Sequence, residues 1–447
     1  MNRTDDKPKA QVSPARAAAF DMLMRIEQEN SYASELLHSS RTAQLSPTDH
    51  GLATELVMGV VRWRGSLDAA IAMASSRKLE KLDSEILVAL RLGTYQLHFL
   101  DRVPAHAAIH ESVELVKRAR KRSAASFVNG VLRKLPPVRL VETLRRTTAP
   151  GIAKHYSHPE WLVTRWIDTY GLQVAEKICE YDQQVPRTSI RLRDPSAQDE
   201  LREHGVELGP GQFLSSARHV LSGDITRSDS FKQGRISIHD EASQLVALLV
   251  GEGQILDCCA APGGKTSILA ENPRSEITAV DLHPHRAALL RKLVRADNVR
   301  VVAADARHLP FSGTFDSILL DAPCSGTGTL ARNPEIKWKL RPADLEDLRT
   351  RQVGILRSAA ARIAQEGQLI YSTCSLEHEE NSEVVEQFVA ENKSFSVVDC
   401  CRRLNQLRAQ GELVWPYLES LLPGPYLRTI PGVHPCDGFF AAILRRT

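Results

Sequence analysis

Five short apolar runs separated by amphipathic stretches fill the last half of this 447-residue chain, and that alternation restricts its fold more than any other feature. The runs are "QILDCCA" from Gln254, "EITAVDL" from Glu276, "VRVVAAD" from Val299, "FDSILLDAP" from Phe315 and "GQLIYSTCS" from Gly367. Apolar strands that alternate with helices form parallel sheets covered on both faces. One covering helix is expected after Pro342, where Leu345, Leu348, Ile355, Leu356, Ala359 and Ile363 recur on one side. An α/β domain with a Rossmann-like sheet is therefore expected over residues 236–447.

Upstream the pattern differs. Residues 1–12 are polar and read as a flexible tail. Ser13-Pro14 looks like an N-cap followed by proline at the first helical position, and helical periodicity then recurs in "HGLATELVMGVVRWRG", "DSEILVALRLGTYQLHFL", "HAAIHESVELVKRARK" and "AASFVNGVLRKL". Residues 13–140 thus read as an all-helical domain, with a change of pattern at Pro136-Pro137. Residues 141–235 read as a linker and a small α+β unit, holding a helix around Trp161–Tyr170, a strand "TSIRLR", a helix near "SAQDELREHG" and a strand near "RHVLSG". The formal charge of +3 is too small to diagnose a nucleic-acid partner by itself. None of the eight cysteines is spaced as a C-x-x-C metal or thiol-exchange motif, so no metal is expected. The amino end lacks an apolar signal core and no run approaches the ~20 apolar residues of a membrane span, which points to a cytoplasmic protein without a membrane partner.

"LDCCAAPGGKTS" runs from a strand through a glycine-containing turn into a helix, a geometry that aims backbone N–H groups at a polar ligand. It is neither a P-loop, because Cys259 stands where the first glycine is needed, nor a G-x-G-x-x-G fingerprint. A tight turn with no ligand would look similar. The next two strands, however, end in Asp281 and Asp305, acids placed to take ribose hydroxyls and an adenine amino group. Three consecutive strand ends then describe a pocket for an adenosine-containing ligand, and S-adenosylmethionine fits.

Two thiols meet that pocket's edge. Pro323 lacks a backbone donor and ends its strand, leaving Asp321 and Cys324 at the carboxyl edge, where "YSTCS" also delivers Cys374. Carbon 5 of a pyrimidine is a poor nucleophile, and methylating it requires prior attack on carbon 6, a task suited to a thiolate. Lowering a cysteine pKa from about 8.5 to about 7 takes roughly 2 kcal/mol of thiolate stabilisation, to which Lys265 and a helix start after residue 376 can contribute. Asp321 is placed to protonate or hydrogen-bond the ring at nitrogen 3. Cys374 reads as the attacking group and Cys324 as the thiol that assists release.

The set "CCAAPGGKT", "DAPCSGTGTL" and "YSTCSLEHEEN" resembles the NOL1/NOP2/Sun family of RNA cytosine-carbon-5 methyltransferases. The resemblance implies a Rossmann-like methyltransferase sheet, the TC cysteine Cys374 as nucleophile and the PC cysteine Cys324 in product release. It implies methyl-donor contacts from Cys259, Ala260, Ala261, Pro262, Gly263, Gly264, Lys265, Asp281, Asp305 and Asp321. The amino-terminal helices are similar to the NusB-like RNA-binding domain, "YSHPEWLVTRW" to the family's central segment and "DGFFAAIL" to its last strand. Two positions depart from the family pattern: His239 where glutamine is common and Arg193 where asparagine is common. The implied substrate is 16S ribosomal RNA, not DNA, acted on by a monomer.

A basic cluster, Lys117, Arg118, Arg120, Lys121 and Arg122, followed by Arg133 and Lys134, is then expected to face RNA phosphates, although a solvated helix face would look the same. Two other readings stay open from the residues alone. A DNA cytosine methyltransferase uses the PC cysteine as nucleophile, which would exchange the two thiols' roles. A NusB-like binding protein would need neither thiol.

Overall fold

The computed structural model describes residues 12–29, 31–37, 39, 42–136 and 147–447, which divide into two compact units. One unit holds the chain up to Gln184 together with Leu330–Lys339; the other holds Val185–Thr329 and Leu340–Thr447. Residues 1–11 of the expected tail, Pro137 and the first residues of the expected linker, 141–146, lie outside the described residues.

In the first unit, helices Pro14–Gln28, Pro47–Arg62, Ser84–Phe99, Ala105–Arg118 and Ala125–Arg133 follow the expected periodicity. Leu56, Leu90, Leu92 and Leu115 are fully buried between them. Pro14 occupies the first turn, but the Ser13 hydroxyl donates to Glu111 Oε2 at 2.7 Å instead of capping the helix. The helical run does not stop near residue 140. Helices Ala149–His155, Glu160–Tyr170 and Leu172–Asp182 continue the same unit, because Leu162, Val163 and Trp166, and then Ala175, Ile178 and Cys179, bury one stripe each at helical spacing. The helix around Trp161–Tyr170 therefore belongs to the helical unit and not to the unit that holds the α+β sheet.

The ten residues Leu330–Lys339 are part of this helical unit although they follow the "DAPCSGTGT" loop in sequence. Arg62 donates to Ala331 O at 3.0 Å, Trp338 Nε1 to Val61 O at 2.7 Å and the Ala33 amide to Glu335 Oε1 at 2.9 Å. Between these anchors Lys337 is 1% exposed and its ammonium has no hydrogen-bond partner among the described residues. Burial pushes its pKa down to about 7, against the attraction of Asp182. Lys337→Met is expected to stabilise the protein by about 1–4 kcal/mol at pH 7, the size found when buried charges are exchanged for apolar groups. Because the folded pKa lies below the unfolded one, folding releases a proton between about pH 7 and 10.5, and the wild type gains stability as pH rises through that window. Denaturant unfolding of both proteins from pH 6 to 10 checks this: the advantage of the methionine variant should shrink steadily toward pH 10.

The second unit carries two sheets. Strands β1 (Ser189–Leu192), β2 (Glu207–Pro210), β3 (Ala217–Ser222) and β4 (Ile236–Ile238) make an antiparallel sheet in the order β2-β3-β1-β4. Ile236–Ile238 thus pairs with β1 through Ile190↔Ile238 and Leu192↔Ile236, so the alternating domain expected from residue 236 begins after this strand. Strands β5 (Gln254–Cys258), β6 (Glu276–Asp281), β7 (Val299–Ala303), β8 (Phe315–Asp321), β9 (Ile363–Thr373), β10 (Phe395–Val398), β11 (Leu427–Arg428) and β12 (Phe440–Arg446) form an eight-stranded sheet. Its order is β10-β12-β9-β8-β5-β6-β7, with β11 on β12. The five strands β7, β6, β5, β8 and β9 are parallel, and β12 enters antiparallel between β9 and β10. Ile363 begins β9 and is not the last residue of the preceding helix, which ends at Ala360.

The alternation of side chains places Ile255, Ile277, Leu319 and Ile370 in one core and Leu256, Val280, Ile318, Leu369 and Tyr371 in another. Such two-sided burial is why these strands read as continuous apolar runs. Because β5 lies between β6 and β8, the winding reverses there, and the crevice for ligands falls beyond the carboxyl ends of β5 and β8. No helix among the described residues is long and apolar enough to cross a membrane.

Candidate active site

Strands β8 and β9 run in register, Asp321 opposite Ser372, so both chains leave the sheet at the same edge. The Ala322 amide donates to Ser372 O at 2.8 Å, and then Pro323 ends the ladder. One residue later Cys324 meets Cys374, with the two Sγ atoms 3.3 Å apart. The turn that follows is fixed from behind: the Gly328 amide donates to Cys374 O at 2.9 Å and the Gly438 amide to Gly328 O at 2.7 Å. A Cβ at Gly328 would lie 2.1 Å from Gly438 O, so only glycine permits this approach.

Asp321 is an ion-pair centre beside the thiols. Its Oδ2 accepts from Lys265 Nζ at 2.7 Å and its Oδ1 from Ser372 Oγ at 2.9 Å. Lys265 also sits 5.0 Å from the centroid of Phe439, in the "DGFFAAIL" segment. The two thiols are not equivalent. Cys324 is held well above the ordinary thiol range by its hydrogen bond to Cys374, by burial and by the nearby charges of Glu380 and Asp321. Either sulfur of the pair can donate to the other. At the end of β5, burial pushes the Cys259 thiol up to about 12 and that of Cys258 well above the usual range.

The loop from Cys259 to Lys265 leaves β5 through a left-handed residue, Cys259 at φ 61°, and enters the helix Gly264–Leu269 after Gly263 at φ 110°. Asp257 anchors it by accepting from Thr266 Oγ1 at 2.6 Å, and burial pushes that carboxyl up to about 7. Asp281 is 2% exposed and accepts from the amides of Ala261 at 3.3 Å and His283 at 3.1 Å. Asp305 is more open, and the Arg307 guanidinium that grips both its oxygens holds its carboxyl down at about 2. A cavity of ≈540 Å³ is lined by Asp257, Cys259 through Lys265 and Asp321, and also by Arg193, Lys232, His239 and Arg295. Its volume lies in the range of small-molecule and cofactor sites. Asp281 and Asp305 are not part of that lining. The His239 ring packs where a Cβ on Gly264 would come within 3.1 Å, and His239 Nε2 meets Ser243 Oγ at 2.7 Å. Arg193 donates to Gly234 O at 3.1 Å.

Residues that sequence reasoning passed over complete the site. Ser372, Phe439 and Glu380 each touch a predicted residue or its neighbour; Ser372 and Glu380 both lay inside the quoted motif "YSTCSLEHEEN", Glu380 as one of its three acids, and Phe439 lay in "DGFFAAIL", but none was singled out. In the basic cluster, Lys117 pairs with Glu114 at 2.6 Å, Arg118 with Asp21 at 2.7 Å and Lys121 with Asp83 at 2.8 Å. Arg120 and Arg122 are exposed and form no such ion pair among the described residues.

This geometry has relatives. Residues 245–445 match the family described as 16S rRNA methyltransferase RsmB/F, and residues 13–136 match the NusB family. A probable ribosomal RNA small subunit methyltransferase B of Bacillus subtilis is 34% identical, covering 96% of this chain and 98% of that protein. Ribosomal RNA small subunit methyltransferase B of Vibrio cholerae is 31% identical, covering 96% and 97%. Among solved structures, that of PH0851 superposes with a TM-score of 0.79 at 23% identity, covering 98% of this chain and 100% of its own. A methyltransferase homologue from Pyrococcus horikoshii has a TM-score of 0.53 at 26% identity, over 67% of this chain and 99% of its own. With a NusB-like helical region, a methyltransferase sheet and full-length likeness to these relatives, the chain belongs to the RsmB/F family of 16S ribosomal RNA methyltransferases.

Proposed function

We propose that the protein transfers the methyl group of S-adenosylmethionine to carbon 5 of a cytosine in 16S ribosomal RNA, through a transient bond between Cys374 Sγ and carbon 6. The observation that carries this reading is the meeting of two thiols, 3.3 Å apart, at the edge that also presents the Lys265–Asp321 pair. S-adenosylmethionine, when bound against the 259–265 loop and Asp321, would supply an electrophilic methyl carbon, with Asp281 and Asp305 just outside the cavity lining. The cavity against that loop has the size for such a ligand.

The chain's own groups do the rest. Cys374 Sγ gives an electron pair to carbon 6, and the ring's electrons move toward carbon 5 and nitrogen 3. Nitrogen 3 becomes basic as the adduct forms, and the proton it needs is carried on the Lys265 ammonium and delivered through Asp321. Carbon 5 takes the methyl group and then gives its proton to water; the 5–6 double bond re-forms, the carbon–sulfur bond breaks with its electron pair going to Cys374 Sγ, and nitrogen 3 returns its proton through Asp321 to Lys265. Cys324, whose thiol is held above its ordinary range beside the nucleophile, assists that release by giving a proton to the departing Cys374 sulfur. The basic cluster, Lys117, Arg118, Arg120, Lys121 and Arg122, meets RNA phosphates while the target base is unstacked, with Arg120 and Arg122 already free of ion pairs among the described residues. The test is direct: incubation with S-adenosylmethionine and unmethylated small-subunit RNA should yield 5-methylcytosine on nucleoside analysis. A methyl group on a ring nitrogen, an exocyclic amine or a ribose oxygen would overturn the reading.

A further inference from the structure

Nothing in the thiol chemistry so far explains what holds two separate loops at a 3.3 Å contact. Each cysteine is followed by a serine, Ser325 and Ser375, and both serines turn inward toward one fully buried carboxylate, Glu380. Glu380 Oε1 accepts from the Ser325 amide at 2.8 Å and Oε2 from the Ser325 hydroxyl at 2.5 Å. Oε2 also accepts from the Ser375 hydroxyl at 2.6 Å, and Oε1 from Gln352 Nε2 at 2.9 Å. Gln352 Nε2 reaches Pro323 O as well, at 2.9 Å, so the residue before Cys324 is tied into the same group. The two serine hydroxyls lie 3.0 Å apart. Four donors on two oxygens is the full complement of an ionised carboxylate.

We propose that Glu380 is a positioning residue that clamps the Cys324 and Cys374 loops together through Ser325 and Ser375, and thereby sets the separation of the two thiols. This rests on the reading of the thiols as a working pair. A carboxylate buried at the cost of desolvation, and repaid by donors from both loops, is a fixed point to which each loop is tied. Neither glutamine nor a shorter acid reproduces it. Glutamine replaces one acceptor by a donor that faces the serine groups, and aspartate keeps the charge but loses the reach. The negative charge also acts on the near thiol, adding to the forces that keep the Cys324 proton in place.

The experiment reads thiol separation without RNA or methyl transfer, so it stands apart from the reaction proposed above. In the full-length protein, diamide oxidises the two thiols to one disulfide, itself being reduced to the hydrazine. Formation of the Cys324–Cys374 bond is followed by peptide mapping over time. Glu380→Gln and Glu380→Asp should both slow it about tenfold, the size of one lost charge-assisted hydrogen bond. The Ser325→Ala/Ser375→Ala variant should slow it similarly, and adding Glu380→Gln to that pair should cost little more, because the three groups act as a unit. In methyl transfer the same variants should lower kcat with KM for S-adenosylmethionine unchanged. Should Glu380→Gln not fold, Ser325→Ala and Ser375→Ala, each leaving the carboxylate in place, carry the test. An unchanged rate of disulfide formation in folded variants, or an additive loss in the combined variant, overturns the proposal.

Discussion

Cys374→Ser is expected to lower methyl transfer by roughly 10⁴-fold or more, as removal of a covalent nucleophile does. Cys324→Ser should instead stop the enzyme after the methyl group has moved, leaving RNA joined to protein as a slow-migrating band on a denaturing gel. The reasoning is electrostatic and geometric. A serine hydroxyl is far harder to ionise than a thiol, so the substitution at 374 removes the attacking anion while changing the side-chain volume little. At 324 a hydroxyl still fits, but the thiol 3.3 Å from Cys374 Sγ, on which the proposed release step depends, is gone. Adduct can then form and does not resolve. Both variants should bind S-adenosylmethionine like the wild type, because neither cysteine belongs to the 259–265 loop. A trapped band from Cys374→Ser and none from Cys324→Ser would mean that the roles are exchanged, as in the DNA cytosine methyltransferase reading.

What made this pair legible in the sequence was the coincidence of a strand's end with a residue that must end it. Pro323 after an apolar run, and a second apolar run closing on "YSTCS", locate two edge positions without knowledge of the strand order. The order itself, with β12 inserted antiparallel between β9 and β10, depends on long-range pairing that no local pattern encodes. The same holds for Leu330–Lys339. Its sequence resembles any polar connection, and its place among the helices is set by contacts such as Trp338 Nε1 on Val61 O. The short strands Glu207–Pro210 and Ile236–Ile238 escaped notice because three or four residues carry too little periodicity to distinguish a strand from a turn. Glu380 shows the limit most clearly. Beside it Glu377 and Glu379 offer the same functional group, and only the fold decides that position 380 faces Ser325 and Ser375. For the basic cluster composition counts charges but not their partners, and three of its members pair with Glu114, Asp21 and Asp83 while staying at least partly exposed.

Asp321→Asn should lower kcat by about 10²–10⁴-fold, the contribution typical of a positioned acid–base group, while the protein remains folded. The carboxylate accepts from Lys265 at 2.7 Å and Ser372 at 2.9 Å, and an amide keeps one acceptor but turns the other toward Lys265 as a donor. The ammonium then loses its counter-ion and its route to nitrogen 3, so charge that builds on the ring as Cys374 attacks is no longer neutralised. The step that suffers is adduct formation. Combining the substitution with Cys324→Ser separates this from a role in holding the methyl donor. If Asp321 works on the base, the RNA-linked band that Cys324→Ser accumulates should disappear in the double variant at saturating S-adenosylmethionine. If Asp321 serves the donor alone, KM for S-adenosylmethionine should rise and the band should return as its concentration is increased. Lys265→Met should weaken the band in the same way, since the two residues act as one unit, and Lys265→Arg should restore part of it by keeping a cation against the carboxylate.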